Sequence, residues 1–251
     1  MKNPFHIALV LFAFLSSCTK ETNDIIPEEI DGPRLIVFRD YDNDHQVSIQ
    51  RWTTNNTPGS LNILGQFNND GSSISDAELI INGNEVWYSE QTEFSENHTD
   101  TDDGFEELIA AHDGQLVDVA VDVMGTSESI SIYSPEGLIV ETSQNIDSLD
   151  RTEDLTITWN SDPANPYGDI SVALISRGID GNPDEETANL HHTVVIDDSG
   201  SYTIPSSEFE NWPVGLHIDL ALTRANERLM PETKTLISAY VQSLQIGEVV
   251  E

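Results

Sequence analysis

Val117, Val119, Val121 and Val123 occupy alternate positions between Gln115 and Met124, with Asp118, Ala120 and Asp122 between them. A period of two suits a β-strand with one buried and one wet face, and it suits no helix. The same alternation recurs at Ile130 and Ile132, at Leu155, Ile157 and Trp159, and at Ile170, Val172 and Leu174. It returns at Leu216, Ile218, Leu220 and Leu222, and again at Ile237, Ala239 and Val241. Short apolar runs at Leu35–Phe38, Val47–Trp52 and Leu61–Phe67 read the same way. Asn82-Gly83 lies between Ala77–Ile81 and Val86–Tyr88, and Asp197–Gly200 lies between Val194–Ile196 and Tyr202–Ile204. Both are hairpin signals, since Asn and Gly accept the positive φ of a tight turn. Glu90–Gly104, rich in Asp, Thr, Glu and Asn, predicts a long exposed loop. Ser206–Trp212 predicts one helical turn, with Ser207 and Glu210 at capping-box spacing. The expected fold is all-β: two tandem β-sandwich domains, 34–145 and 146–251, with a boundary near 145 in the turn-rich stretch that begins at Pro135-Glu136-Gly137. No fixed short repeat suggests a solenoid or propeller.

The chain has 45 Asp and Glu against 10 Lys and Arg, a formal net charge of −35. Nucleic acid is excluded as a ligand, because binding a polyanion requires Lys and Arg to neutralise phosphates. Electrostatic docking on anionic membranes is excluded for the same reason, so membrane attachment would have to come from lipid. Carboxylates can collect divalent cations. At 37% hydrophobic residues the chain has material for one or two small cores. Its single cysteine leaves no disulfide to support them.

That cysteine closes Leu15-Ser16-Ser17-Cys18, behind Lys2 and an unbroken apolar run from Ile7 to Leu15. The layout is that of a secretory signal, and the run is far shorter than the ~20 residues that span a bilayer. The four residues ending at Cys18 resemble the lipobox of bacterial lipoproteins. The resemblance implies cleavage before Cys18 and acylation of its thiol and new N-terminus, with the lipid holding the chain to the outer membrane of a bacterial envelope, periplasmic or surface-exposed. An ordinary signal peptide with an incidental cysteine is the rival reading, weakened because Cys18 has no disulfide partner. Residues 1–17 are then the signal peptide, and 18–33 the lipidated cysteine and an acidic tether with two prolines. Lys20-Glu21 faintly resembles the charged export signals of Bacteroidota surface lipoproteins; a solvated linker is an equal reading.

The stretch LTITW (155–159), its Pro-containing gap and DISVALIS (169–176) resemble the B and C strands of fibronectin type III domains. SYTIPSSEFENWPVGLHIDLALTRAN (201–226) resembles their E strand, loop and F strand. Trp159 stands where that family buries a tryptophan, and Leu216 or His217 stands where it has a tyrosine. The resemblance therefore extends equally to immunoglobulin-like sandwiches. It implies a binding or accessory role and carries no catalytic residues.

Asp40, Asp42 and Asp44 have the spacing that opens a calcium loop, but His45 and Arg51 stand where an EF-hand needs glycine and a bidentate glutamate. They are candidate ligands for an open Ca2+ site; the alternative is an acidic turn. Asp100, Asp102 and Asp103 invite the same thought, with Gly104 one place early. His191 and His192 are adjacent, so on a strand they face opposite ways and cannot share a metal. No nucleophile or phosphate-loop motif appears. Trp52, Trp87, Tyr88 and Trp212 lie near strand ends, where an aromatic face could stack on a sugar ring. The expected function is a non-catalytic, membrane-anchored interaction or structural module with a protein or glycan partner. Its rivals are a glycan-binding accessory lipoprotein, similar in role to the binding components of Bacteroidota polysaccharide-uptake systems, and a hydrolase with a pair of convergent carboxylates.

Overall fold

The computed structural model describes residues 45–54, 57–69, 72–89, 93–99, 101–166, 168–179, 187 and 190–250. Cys18, the tether, the Leu35–Phe38 run and the Asp40–Asp42–Asp44 loop lie outside the described residues. The strands in order are β1 (His45–Thr54), β2 (Thr57–Asn69), β3 (Ser72–Ser73), β4 (Glu78–Ile81), β5 (Asn84–Val86), β6 (Tyr88–Ser89), β7 (Glu93–Thr99), β8 (Gln115–Val123) and β9 (Thr126–Ser134). They continue with β10 (Val140–Thr142), β11 (Leu149–Asp150), β12 (Leu155–Trp159), β13 (Asp169–Ile179), β14 (His191–Asp197), β15 (Ser201–Ile204), β16 (Leu216–Met230) and β17 (Thr235–Val250). One short helix, α1 (Phe105–Ala110), separates β7 from β8.

The alternating segments form strands with the expected faces inward. Val117, Val119, Val121 and Val123 are all buried, at 5% exposure or less, opposite Leu79 and Ile81 of β4. Asn82 (φ 49°) and Gly83 (φ 81°) make the two-residue β4–β5 hairpin, both with positive φ, as a primed turn requires. The chain is an all-β sandwich protein.

Among the described residues three sheets build it. A ten-stranded sheet runs β14-β13-β16-β17-β1-β2-β7-β6, with β11 on β17 and β3 on β2. A four-stranded sheet, β5-β4-β8-β9, shares one hydrophobic core with the part containing β1, β2 and β7. A three-stranded sheet, β10-β12-β15, shares a second core with β13, β16 and β17. That second unit sets three strands against four, the strand count of an immunoglobulin-type sandwich.

The two cores are not consecutive in sequence. The first contains Val47 through Ile132 and then Met230, Ile237 and Ala239. The second contains Leu138 through Leu222 and then Val241 and Val249. The hairpin β16–β17, with strands of 15 and 16 residues, leaves the second sandwich and completes the first. There β17 pairs in parallel with the whole length of β1, His45↔Thr235 to Thr54↔Leu244. Up to β15 the cores divide between Ile132 and Leu138, some ten residues before the expected boundary near 145, and β16 and β17 then serve both.

Two local expectations change. Glu90–Gly104 is not one long loop, because Glu93–Thr99 is strand β7, paired with β2. Phe94 is its one buried apolar side chain, so no alternation marks it. Ser206–Glu208 forms a single 3₁₀ turn without a side-chain cap, and the Ser207–Glu210 capping box does not form.

Candidate functional site

The two most deeply buried arginines meet where the chain passes from one core to the other. Strand β9 ends at Ser134, and Pro135-Glu136-Gly137 carries the backbone to Leu138 in the second core. β9 is an edge strand of its sheet, so its outer carbonyls and those of the linker need donors from elsewhere. Side chains of β16 and β1 supply them. Arg228 Nη1 donates to the Ser131 carbonyl (2.8 Å) and Asn226 Nδ2 to the Tyr133 carbonyl (2.7 Å). Arg51 Nη2 donates to the Pro135 carbonyl, and Arg224 Nη1 to the Glu136 carbonyl (3.0 Å).

Arg224 and Arg51 are each held by an aspartate. Arg224 presents a fork to Asp198, Nε to Oδ2 at 2.7 Å and Nη2 to Oδ1 at 3.1 Å, with side-chain exposures of 0% and 2%. Its Nη2 also donates to the Asn160 carbonyl. Asp198 accepts in addition from the Trp159 indole N–H (2.6 Å) and from the Asp162 backbone N–H (3.1 Å). Trp159 is buried, as the fibronectin type III resemblance implies, and Leu216 is fully buried. Asp162 accepts from the Glu136 N–H (2.8 Å) and the Tyr133 hydroxyl (3.0 Å). Arg51 Nη1 meets Asp113 Oδ1 at 2.6 Å, and the same oxygen accepts the Gly137 N–H at 2.6 Å. Burial pulls the Arg51 guanidinium below its ordinary pKa, while Asp113 opposes the shift.

This arrangement is a lock rather than a reactive centre. The Arg224 fork is met by a carboxylate and two carbonyls, so no Arg224 nitrogen is left to grip a substrate. Burial and the bond to Asp162 push the Tyr133 phenol up to about 12, which keeps it protonated and unsuited to act as a base near neutrality. Sequence reasoning did not single out Arg51 or Arg224. Their signal was phase: Arg51 continues Val47–Ile49, and Arg224 continues Leu220–Leu222, on the inward-facing positions of their strands.

The four aromatic candidates do not come together. Trp212 is 4% exposed in the second core, edge-on to Phe209, so it offers no face to a sugar and is a packing residue. Tyr88 is half-buried and packs on Phe94 at 5.2 Å. Trp52 lies on the large sheet with its ring edge-on to Tyr240 at 6.1 Å. Trp87 alone of the four is well exposed, at 70%.

A shallow groove of about 260 Å³ lies on the four-stranded sheet, lined by Glu78, Ile80, Asp122, Ser127 and Glu128 among others. Two of its carboxylates are engaged by nearby turns. Asp122 accepts from the Gly125 N–H (3.0 Å) and the Ser127 hydroxyl, and Glu128 from the Glu232 and Thr233 N–H groups (3.0 and 2.9 Å). The carboxyls whose pKa rises lie elsewhere. Asp219 is raised by burial against the opposing effect of Arg177 (2.5 Å), and Asp169 by burial and by Asp197. Asp102 accepts the Thr99 N–H (2.7 Å) in the turn ahead of α1. Among the described residues no three His, Cys, Asp or Glu side chains are grouped to hold a metal ion.

No protein-family profile matches the chain, and no curated protein matches it. Among solved structures it is similar to the FN1–FN3 domains of chicken CNTN1, at 10% identity over 80% of this chain and 64% of that one, with a TM-score of 0.26. It is also similar to the N-terminal four Ig domains of Dscam1 isoform 6.9, at 11% identity over 89% of this chain and 47% of that one, with a TM-score of 0.20. The chain thus spans less than two thirds of either structure's length. At these scores the sandwich assignment rests on the strand pairing described above.

Proposed function

We propose that this chain is a bacterial envelope lipoprotein, anchored through Cys18, whose fused β-sandwiches form a stiff, non-catalytic interaction module. The observation that carries the module reading is the junction lock. Arg51 and Arg224, in a chain with only 10 basic residues, are buried to hold linker carbonyls in place. A hinge between domains would leave such a linker solvated and free of these bonds. The anchor reading rests on Leu15-Ser16-Ser17-Cys18 and on the absence of any other cysteine.

Expression in a bacterium that processes lipoproteins tests the anchor. The wild-type chain should partition into the detergent phase of a cloud-point extraction, with a mature N-terminus at an acylated Cys18. Cys18→Ser should keep its signal segment and carry no acyl chain. A wild-type N-terminus elsewhere, or a Cys18 without acyl groups, overturns the reading.

The 70% exposure of Trp87 favours a second reading, in which the module binds glycan. A polysaccharide array probed with the full chain should then show hits that Trp87→Ala abolishes. No hits across broad polysaccharide classes removes this reading and leaves the first.

A further inference from the structure

Three features that do nothing for the fold meet at one end of the four-stranded sheet, on its outer face. The first is Met124, 66% exposed in the two-residue turn between β8 and β9. Met124 has φ 54° and Gly125 φ 80°, the backbone that Asn82 (49°) and Gly83 (81°) adopt in the β4–β5 turn. That turn favours Asn or Gly in first place, because they tolerate the left-handed region. Methionine there strains the backbone and leaves a large apolar side chain in water. The second feature is the pair Glu78↔Asp122, two carboxylates directly across from each other on β4 and β8. Like charges at such positions destabilise a sheet. Asp122 accepts only from the neutral Gly125 N–H and Ser127 hydroxyl, and among the described residues no Lys, Arg or His forms an ion pair with either acid. The third is Trp87. Val86 pairs with Leu79 and is buried, so the next position faces outward, level with Glu78, and Trp87 there is 70% exposed. The shallow groove of about 260 Å³ adjoins all three, with Ile80 and Ala120 as its apolar lining.

We infer that this corner docks a partner protein through a segment carrying both basic and apolar side chains. A lysine or arginine head sits between Glu78 and Asp122 and relieves their repulsion, while its aliphatic stem lies along Ile80 and Ala120. Apolar neighbours on the same segment pack against Trp87 and Met124, the kinds of side chain that interfaces favour. The net charge of −35 steers any basic partner toward the chain, and this corner adds the apolar contact that holds one. A neutral glycan could use the Trp87 ring but would leave the Glu78–Asp122 repulsion in place, so charge favours the basic partner. The inference rests on the interaction-module reading and gives the partner its chemistry.

The test uses the full chain carrying Cys18→Ser, so that no acyl chain contributes, over immobilised peptides of alternating Lys-Leu, Lys-Ser and Glu-Leu sequence. Lys-Leu should bind about ten-fold more tightly than Lys-Ser, which reports charge attraction alone, and Glu-Leu should not bind. Added salt should weaken the Lys-Leu complex. Trp87→Ala and Met124→Asn should each weaken Lys-Leu binding about ten-fold and leave Lys-Ser binding unchanged. Met124→Asn should at the same time raise the urea midpoint, because asparagine accepts the left-handed turn position. Weaker binding by a more stable chain separates docking from a structural role. Equal binding of Lys-Leu and Lys-Ser, either variant binding Lys-Leu like wild type, or a complex indifferent to salt overturns the inference. Polysaccharide binding lost in Trp87→Ala, with no preference for Lys-Leu, overturns it too and assigns the ring to glycan. The anchor reading is judged separately, since acylation at Cys18 does not involve this corner.

Discussion

Arg224 and Asp198 meet as a fork and a carboxylate, 2.7 and 3.1 Å apart, with side-chain exposures of 0% and 2%. Arg224 comes from the strand that serves both cores, and Asp198 from the loop after β14. Together they fix the linker carbonyl at Glu136 and the Asn160 carbonyl just after β12. Removing one member of such a pair leaves an uncompensated buried charge, which costs about 3–5 kcal/mol. Arg224→Ala and Asp198→Ala should each lower stability by that amount in urea titrations. The double variant should lose much less than the sum of the two, because both act on one interaction.

The shared hairpin makes the first sandwich dependent on the last strands. Met230, Ile237 and Ala239 are buried in the first core, and β17 lies between β16 and β1. A fragment of residues 34–145 should show no cooperative thermal transition, although it contains every strand from β1 to β9. In the intact chain the two cores should unfold together. Far-ultraviolet circular dichroism, which reads the strands of both cores, and tryptophan fluorescence, which reads the second core through Trp159 and Trp212, should give coincident urea curves.

Gly247 lies where β17 crosses the 3₁₀ turn Ile146–Ser148. A Cβ at this position would collide with the Ile146 backbone carbonyl, which cannot step aside as a flexible side chain could. Gly247→Ala should cost about 1–3 kcal/mol from overpacking. Gly83→Ala is the informative contrast. Gly83 has open space around it but a φ of +81°, so its cost, roughly 1 kcal/mol, comes from the backbone alone. Urea midpoints of the two variants should rank them in that order.

His112 is 2% exposed, its Nδ1 bonded to the Leu108 carbonyl (2.8 Å) and its Nε2 buried without a partner. Burial holds the imidazole below its ordinary pKa of 6.5, the Arg51 and His98 charges add to the shift, and the Leu108 bond opposes it. The unfolded chain therefore takes up this proton at a higher pH than the folded chain. Stability from this group is complete above about 6.5 and is lost as pH falls toward the depressed folded value. Between pH 7.5 and 5.5, wild type should lose more stability than His112→Asn, with a difference in slope of at most about 1.4 kcal/mol per pH unit. Equal slopes for the two would remove His112 as the cause.

Much of the fold is legible in residue order. Val117–Val123 and Leu155–Trp159 announce strands by alternation, and Asn82-Gly83 announces its hairpin by the φ values it tolerates. β7 was hidden because Phe94 is its one buried apolar residue. The shared hairpin was hidden for a more instructive reason. From Thr223 to Arg228 the apolar alternation stops, yet the strand continues without a break. Its inward positions there carry Arg224 and Asn226, which face the edge of β9 and the linker instead of a hydrophobic core. Of the aromatic candidates, Trp87 and Trp212 have similar local settings beside Tyr88 and Pro213, and only packing separated the exposed ring from the buried one.

Local pattern determined that this chain makes β-strands, which of their faces are buried, and where most of its turns fall, because alternation and φ tolerance are properties of neighbouring residues. The tertiary structure decided that two cores share one hairpin and that two arginines belong inside it. An inward arginine is stable only if an aspartate and unpaired carbonyls meet it. Here those partners come from residues 26 to 88 positions away, so no local pattern could announce them.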